Sequence, residues 1–178
     1  LILYGDLDIS IIDELPPNRK KIDTFAVKKG LEERVNNFVK KQINEGRQCY
    51  IVCPLVEESE EMDLKSVIEL YNTCKEDTFK EYKVEYIHGK MKPKEKDEIM
   101  EKFKNGKIDI LISTTVIEVG VDVPNASIMV VEDSQRFGLA QLHQLRGRVG
   151  RGKYQSYCIL KYSGNGKTIR ERMQVMCS

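Results

Sequence analysis

Three arginines and three glycines crowd into one twelve-residue stretch, Gln141-Leu-His-Gln-Leu-Arg-Gly-Arg-Val-Gly-Arg-Gly152. Arginine forks match phosphate oxygens in a bidentate way. Arg148 and Arg151 are three residues apart, a spacing that predicts a helical turn with both guanidiniums on one face. Gly147, Gly150 and Gly152 each weaken a helix by up to about 1 kcal/mol. Three glycines in six residues need a reason, and close backbone packing against a ligand is one. The stretch therefore reads as an anion site rather than a flexible basic loop. His143, inside the apolar stripe Leu139, Leu142, Leu145 and Val149, reads as a packing or hydrogen-bonding residue.

A second polar group follows the apolar run Ile108–Ile112. Ser113-Thr114-Thr115 places three hydroxyls at a strand's carboxyl end. If Thr115 opens a short helix, its N–H groups and hydroxyls would point at an anion. Gly120 allows a close backbone approach. Asp122, before Pro124, could accept hydrogen bonds from a ribose hydroxyl, as acids near nucleotide sites do. The plain alternative is that Thr114 or Thr115 caps a helix and Asp122 shapes a turn. His88-Gly89 follows the short strand Val84–Ile87, a place for a polar contact or a surface loop.

One stretch imitates a phosphate loop. Gly164-Asn-Gly166-Lys167-Thr168 lies between a predicted strand and a predicted helix. A true P-loop needs a glycine five residues before its Gly-Lys pair, and Lys161 stands there. A magnesium acid would also be needed at another strand's end. Glu132-Asp133 could imitate one.

The elements that must position these residues alternate. Leu31, Val35, Phe38, Val39 and Ile43 fall at helical spacing between Gly30 and Gly46. Cys49–Cys53 is a continuous apolar run ended by Pro54, a buried strand. Leu64, Val67, Ile68, Tyr71 and Cys74 form a second helical stripe. Pro93 suits the first turn of a helix carrying Ile99, Met100 and Phe103, which Gly106 closes. Ile128–Val131 and Tyr157–Leu160 predict further strands, and Ile169–Met176 a last helix. Strands apolar throughout, alternating with helices, predict an α/β fold with a parallel sheet covered on both faces. Ligands in such sheets gather at the strands' carboxyl ends. The first 29 residues fit this alternation poorly: acids interrupt the apolar residues, and Pro16-Pro17 breaks the chain.

With 178 residues, 40% hydrophobic and 32% charged, the chain has ordinary globular composition, which argues against long disorder and collagen-like repeats. It holds no run of 18 apolar residues, so a membrane-spanning helix is excluded. The five cysteines form no Cys-x-x-Cys pair and there are two histidines, so zinc-site spacing is absent and no metal site is predicted. Cys49, Cys53 and Cys158 sit in apolar runs, and the chain reads as a reduced, cytoplasmic protein. The net charge of +1 hides an asymmetry. Residues 134–178 carry nine basic residues against the acid Glu171, a net +8, and the remainder carries −7. Such separation suggests a surface for phosphates; a solvated basic face is the bland alternative.

These motifs resemble a known family. Ser113-Thr-Thr-Val-Ile-Glu-Val-Gly-Val-Asp-Val-Pro124 is similar to motif V of superfamily 2 helicases. Gln144-Leu-Arg-Gly-Arg-Val-Gly-Arg151 is similar to their motif VI. Phe137–Arg151 resembles the narrower group of RecG and the transcription-repair coupling translocase. Leu3–Pro17 and His88-Gly-Lys-Met-Lys-Pro93 favour the RecG type, a bacterial helicase of stalled replication forks. The resemblance covers nearly the whole chain and implies a RecA-like fold.

It further implies that residues 1–29 are the tail of a first motor domain and a linker. Residues 30–163 would be the second RecA-like domain, and residues 164–178 the start of a helical extension. By motif position, Arg151 would be an arginine finger, Arg148 its partner, and Gln144 a nucleotide sensor. Gly120 and Asp122 would face the nucleotide. Thr114 and Thr115 would touch the DNA backbone, as would His88 and Gly89. The cofactor would be ATP with magnesium, the metal held by the first motor domain. The partners would be branched DNA, meaning forks and Holliday junctions, and the first domain of the same polypeptide. The full protein would act in DNA repair and recombination, and this chain alone would be inactive. The alternatives are the coupling translocase, a non-catalytic nucleic-acid-binding module, and a P-loop ATPase built on Lys167.

Overall fold

The structure is a computed structural model that describes residues 7–10 (backbone only), 22–55, 59–114 and 123–178. Its centre is a sheet of seven strands: β1 (Leu7–Ser10), β2 (Ile22–Lys28), β3 (Gln48–Cys53), β4 (Val84–Ile87), β5 (Ile110–Thr114), β6 (Ala126–Val131) and β7 (Ser156–Tyr162). The spatial order is β1-β2-β7-β6-β3-β5-β4. β2 to β7 are parallel, and β1 is an antiparallel edge on β2.

Every residue of β3, β5 and β6 is buried. Successive side chains leave a strand on opposite faces, so these strands feed two cores. Tyr50, Leu111, Met129 and Val131 pack with Met100, Phe103, Leu142, Met173 and Met176 on one face. Cys49, Ile51, Ile110, Ile112 and Ile128 pack with Val35, Phe38, Val39 and Val67 on the other. The helices divide accordingly. α1 (Glu32–Asn44) and α2 (Glu60–Thr73) cover one face. α3 (Pro93–Lys104), α4 (Leu139–Arg146) and α5 (Lys167–Cys177) cover the other. The doubly covered parallel sheet predicted from the apolar runs is present.

Three expectations change. Residues 22–28, set apart with the leading 29, form β2 and pair with β7 from Ile22↔Ser156 to Lys28↔Tyr162. Asp23 had masked the run, yet Phe25, Ala26 and Val27 are fully buried. The strand expected at Ile108–Ile112 runs two residues later, so Ser113 and Thr114 are its last members rather than the loop after it. α4 ends at Arg146, so Arg148 and Arg151 share no helical face. Gly147 closes the helix, and Gly150 follows at φ +87°, a conformation a side chain strains to adopt.

All five cysteines are free and buried. Burial pushes the Cys74 and Cys158 thiols up to about 12, so they stay protonated and inert. Among the described residues no helix is long and apolar enough to cross a membrane.

Candidate nucleotide and nucleic-acid faces

The predicted site residues that are described fall on two opposite edges of the sheet. At the amino edge, β3, β6 and β7 begin at Gln48, Ala126 and Ser156, and the loops entering them meet. Asn125 Nδ2 donates to the Gly46 carbonyl at 2.8 Å and to Gln48 Oε1 at 3.1 Å. Gln48 Nε2 donates in turn to the carbonyls of Phe103 and Ile108, both at 2.7 Å. The arginine-bearing loop between α4 and β7 lies on this frame.

Its glycines show why the spacing exists. A Cβ on Gly150 would meet Ile22 Cδ1 at 2.8 Å, and one on Gly152 would meet the Pro124 carbonyl oxygen at 2.5 Å. Both contacts are to the protein itself, which gives these two glycines a packing reason. The loop is thereby clamped to β2 and to the segment that follows Asp122. Val149, directly before Gly150, is buried as a third anchor. Gln144, Arg148 and Arg151 are exposed. Arg151 Nε donates to the Gly147 carbonyl at 3.5 Å. The arginines therefore stand on a rigid loop with their heads toward solvent.

Arg146, two residues before Arg148, does something different. Its Nη1 donates to the Met176 carbonyl at 2.6 Å and to Thr24 Oγ1 at 3.4 Å. Its Nη2 lies 3.0 Å from Nδ1 of the exposed His143, so His143 is a hydrogen-bonding residue. Arg146 thus stitches α4 to β2 and to the last turn of α5, where a cation suits the helix dipole. Its half-burial separates it from Arg148 and Arg151, and sequence spacing gives no sign of that.

At the carboxyl edge, Ile87 pairs with Ser113, so His88 and Thr114 are neighbours. Both are buried, at 3% exposure each. His88 Nδ1 accepts the Lys90 N–H at 3.1 Å, and the His88 carbonyl accepts the Met91 N–H. The ring therefore holds the loop from beneath while Gly89 is exposed above it. Burial keeps the imidazole below its usual range, against the pull of Asp63 and Glu60 and with the push of Lys90 and Lys96. Thr115, Gly120 and Asp122 lie outside the described residues.

The imitation phosphate loop does not fit a triphosphate. Only residues 163–166 separate β7 from α5. Lys167 points outward with its side chain 90% exposed and lies 3.8 Å from Glu171. Glu132, the mock magnesium acid, is held by Lys161 Nζ at 2.9 Å. Among the described residues no group of three or more His, Cys, Asp or Glu side chains could hold a metal ion.

Sequence reasoning missed Arg47, Lys153 and Tyr154. The Arg47 guanidinium lies 3.2 Å from the centre of the Tyr154 ring, and Lys153 Nζ 5.2 Å from it. The hydrogen bond from Arg47, with the Lys153 charge, holds the Tyr154 phenol below its usual range. The hint was there: Lys153-Tyr154 pairs a cation with an aromatic directly after the arginine run.

Comparison with known proteins agrees with this fold. The model of the Helicase conserved C-terminal domain matches residues 31–153. The chain is 48% identical over 99% of its length to ATP-dependent DNA helicase RecG of Bacillus subtilis, covering 26% of that protein. It is 48% identical over 98% of its length to ATP-dependent DNA helicase RecG of Thermotoga maritima, covering 22% of it. The chain thus spans about a quarter of the length of the curated relatives it matches. A solved structure of RecG bound to a three-way DNA junction superposes with a TM-score of 0.77 at 44% identity. The match covers 93% of this chain and 21% of that one. The Escherichia coli DEAD-box protein SrmB shares the fold at a TM-score of 0.64 and 23% identity, over 90% of this chain and 88% of that one. With its RecA-like parallel sheet and clamped arginine loop, the chain belongs to the helicase conserved C-terminal domain family.

Proposed function

We propose that this chain is the second motor domain of an ATP-dependent DNA helicase that remodels branched DNA, including stalled forks and Holliday junctions, in repair and recombination. The observation that carries the reading is the arginine loop. Gly150 is seated on Ile22 and Gly152 on Pro124, with Arg148 and Arg151 exposed at one edge. The similarity to RecG helicases across nearly the whole chain supports the substrate class.

In this reading Arg151 is the arginine finger, Arg148 its partner and Gln144 a sensor of the nucleotide. Gly120 and Asp122 are assigned to the nucleotide in the same reading, by motif position. Bound ATP, with magnesium held by the first motor domain, would supply the γ-phosphoryl group that is transferred to water, with ADP as the leaving group. The chain's own part is electrostatic. Guanidiniums carried on a packed loop favour the charge that develops on the transferring phosphoryl oxygens. The opposite edge, with Thr114, His88 and Gly89, faces the DNA backbone, and Thr115 is assigned to the same contact by motif position. The exposed Gly89 backbone makes the contact there, and the buried His88 supports it. Backbone contacts make such a motor largely sequence-blind and salt-sensitive.

Closure of two motor domains on γ-phosphate converts turnover into movement. Residues before β2 form the tail of the first domain and a linker, β2 joins the second domain's body, and residues 164–178 open a helical extension. The motor works in the cytoplasm. This chain alone does not hydrolyse ATP, with or without forked DNA.

The test is Arg151→Ala in the full-length protein that carries this chain. DNA-stimulated turnover falls by about 10³–10⁵, while fork binding persists. Near-normal turnover would overturn the assignment. Failure of the wild-type full-length protein to unwind model forks would overturn the substrate class.

A further inference from the structure

Alternate residues of the loop entering β7 face opposite ways. The Cβ directions of Gly150 and Gly152 meet the protein body, and the Tyr154 ring lies on Arg47. Arg151 and Lys153, between them, are exposed. Two residues of chain reach at most about 7 Å, so the backbone positions of these two exposed cations are close. Among the described residues no carboxylate forms an ion pair with either.

Lys153 is not left to wander. Its ammonium lies 5.2 Å from the Tyr154 ring centre, where the ring's electron-rich face attracts a cation. Arg47 fixes the ring, and its Nη2 donates to the Glu45 carbonyl at 2.8 Å. The platform ends in the turn before β3, so ring and lysine are tied to the sheet.

We propose that Lys153 is a second phosphate-binding residue of the nucleotide face, beside Arg151, with Tyr154 and Arg47 as the positioning platform beneath it. This rests on the reading that Arg151 faces the phosphates of ATP. The two cations differ in role. A lysine on a flexible stem is a point charge that holds bound nucleotide and the transition state alike. Uniform binding of that kind moves KM and spares kcat.

The experiment uses the full-length protein with saturating forked DNA and measures ATP turnover against ATP concentration. Lys153→Ala raises the KM for ATP by about fivefold, the scale of one exposed ion pair. Its kcat changes by less than about twofold. The salt dependence of KM becomes shallower. Lys153→Arg restores KM, because the charge returns. Tyr154→Ala raises KM in the same direction, whereas Tyr154→Phe, which keeps the ring under the cation, does not. Arg151→Ala, run alongside, collapses kcat instead. An unchanged KM in Lys153→Ala, with kcat collapsed in Arg151→Ala, would overturn this proposal and leave the finger standing. Normal turnover in both variants would show that the nucleotide face itself was misassigned. A rise in KM that Lys153→Arg fails to rescue would also overturn the proposal, since charge would then not be the cause.

Discussion

Gly152→Ala is the sharpest probe of the clamped loop. The added Cβ would sit 2.5 Å from the Pro124 carbonyl oxygen and 3.1 Å from its carbonyl carbon. These are backbone atoms, so no side chain can swing aside. Ordinary contact needs about 3.4 Å or more, so the loop must lift by roughly 1 Å. Two consequences follow. Overpacking of this kind costs about 1–3 kcal/mol. For a domain of this size, each kcal/mol lowers Tm by about 2–4 °C. The lift also moves Arg151, the adjacent residue, and a misplacement of about 1 Å at a catalytic group costs on the order of 100-fold in rate. The assays are thermal melting of this chain and DNA-stimulated ATP turnover of the full-length protein at saturating ATP. Gly147→Ala is the comparison for melting: its nearest Cβ contacts are at 3.4 and 3.5 Å and its φ is −67°. It should be neutral or slightly stabilising. An unchanged Tm in Gly152→Ala would refute the packing argument. A lowered Tm with full turnover would refute the claim that this contact sets the position of Arg151.

Three further outcomes follow from the same structure. Arg146→Ala strips a donor from the Met176 carbonyl and should destabilise the chain by about 1–3 kcal/mol, read by denaturant melting; a loss under about 0.5 kcal/mol would contradict the stitching role. Lys167→Ala removes a side chain that is 90% exposed; Tm and ATP turnover of the full-length protein should both stay near wild type, and lost turnover would revive the phosphate-loop reading. His88 is held below its usual range by burial, so the unfolded chain takes up the proton first as pH falls. Stability is therefore full above the unfolded value of about 6.5 and declines below it until the folded ring also titrates. Melting between pH 7.5 and 5.5 should show this loss, and His88→Gln should reduce it; an equal slope in both would exclude His88 as its source.

Much of the fold was legible because its signals are local. Continuous apolar runs at Cys49–Cys53 and Ile128–Val131 can only be strands buried on both faces, and β3 and β6 are that. Glycines at 46 and 106 marked helix ends, and both adopt positive φ. β2 was missed because Asp23 broke the apolar pattern, and its pairing with β7 joins positions more than 130 residues apart.

The candidate chemistry was legible locally too: residue type and spacing single out Arg148 and Arg151 as a candidate anion-binding pair, and the resemblance to motif VI adds Gln144. What those residues could not reveal was their support. The helical turn expected to align Arg148 with Arg151 is absent, because Gly147 closes α4 and Gly150 turns the chain at positive φ. The loop that carries them is held instead by Ile22, Pro124 and Arg47, and each is distant in sequence. Likewise Arg146 resembles its neighbours in every local respect, and only the approach of Met176 makes it structural. Sequence by itself determined the elements and the charges, because backbone propensity and apolar period act over a few residues. Tertiary structure decided which arginine faces solvent and what holds the loop, because burial and close contact depend on the chain segments that folding brings together.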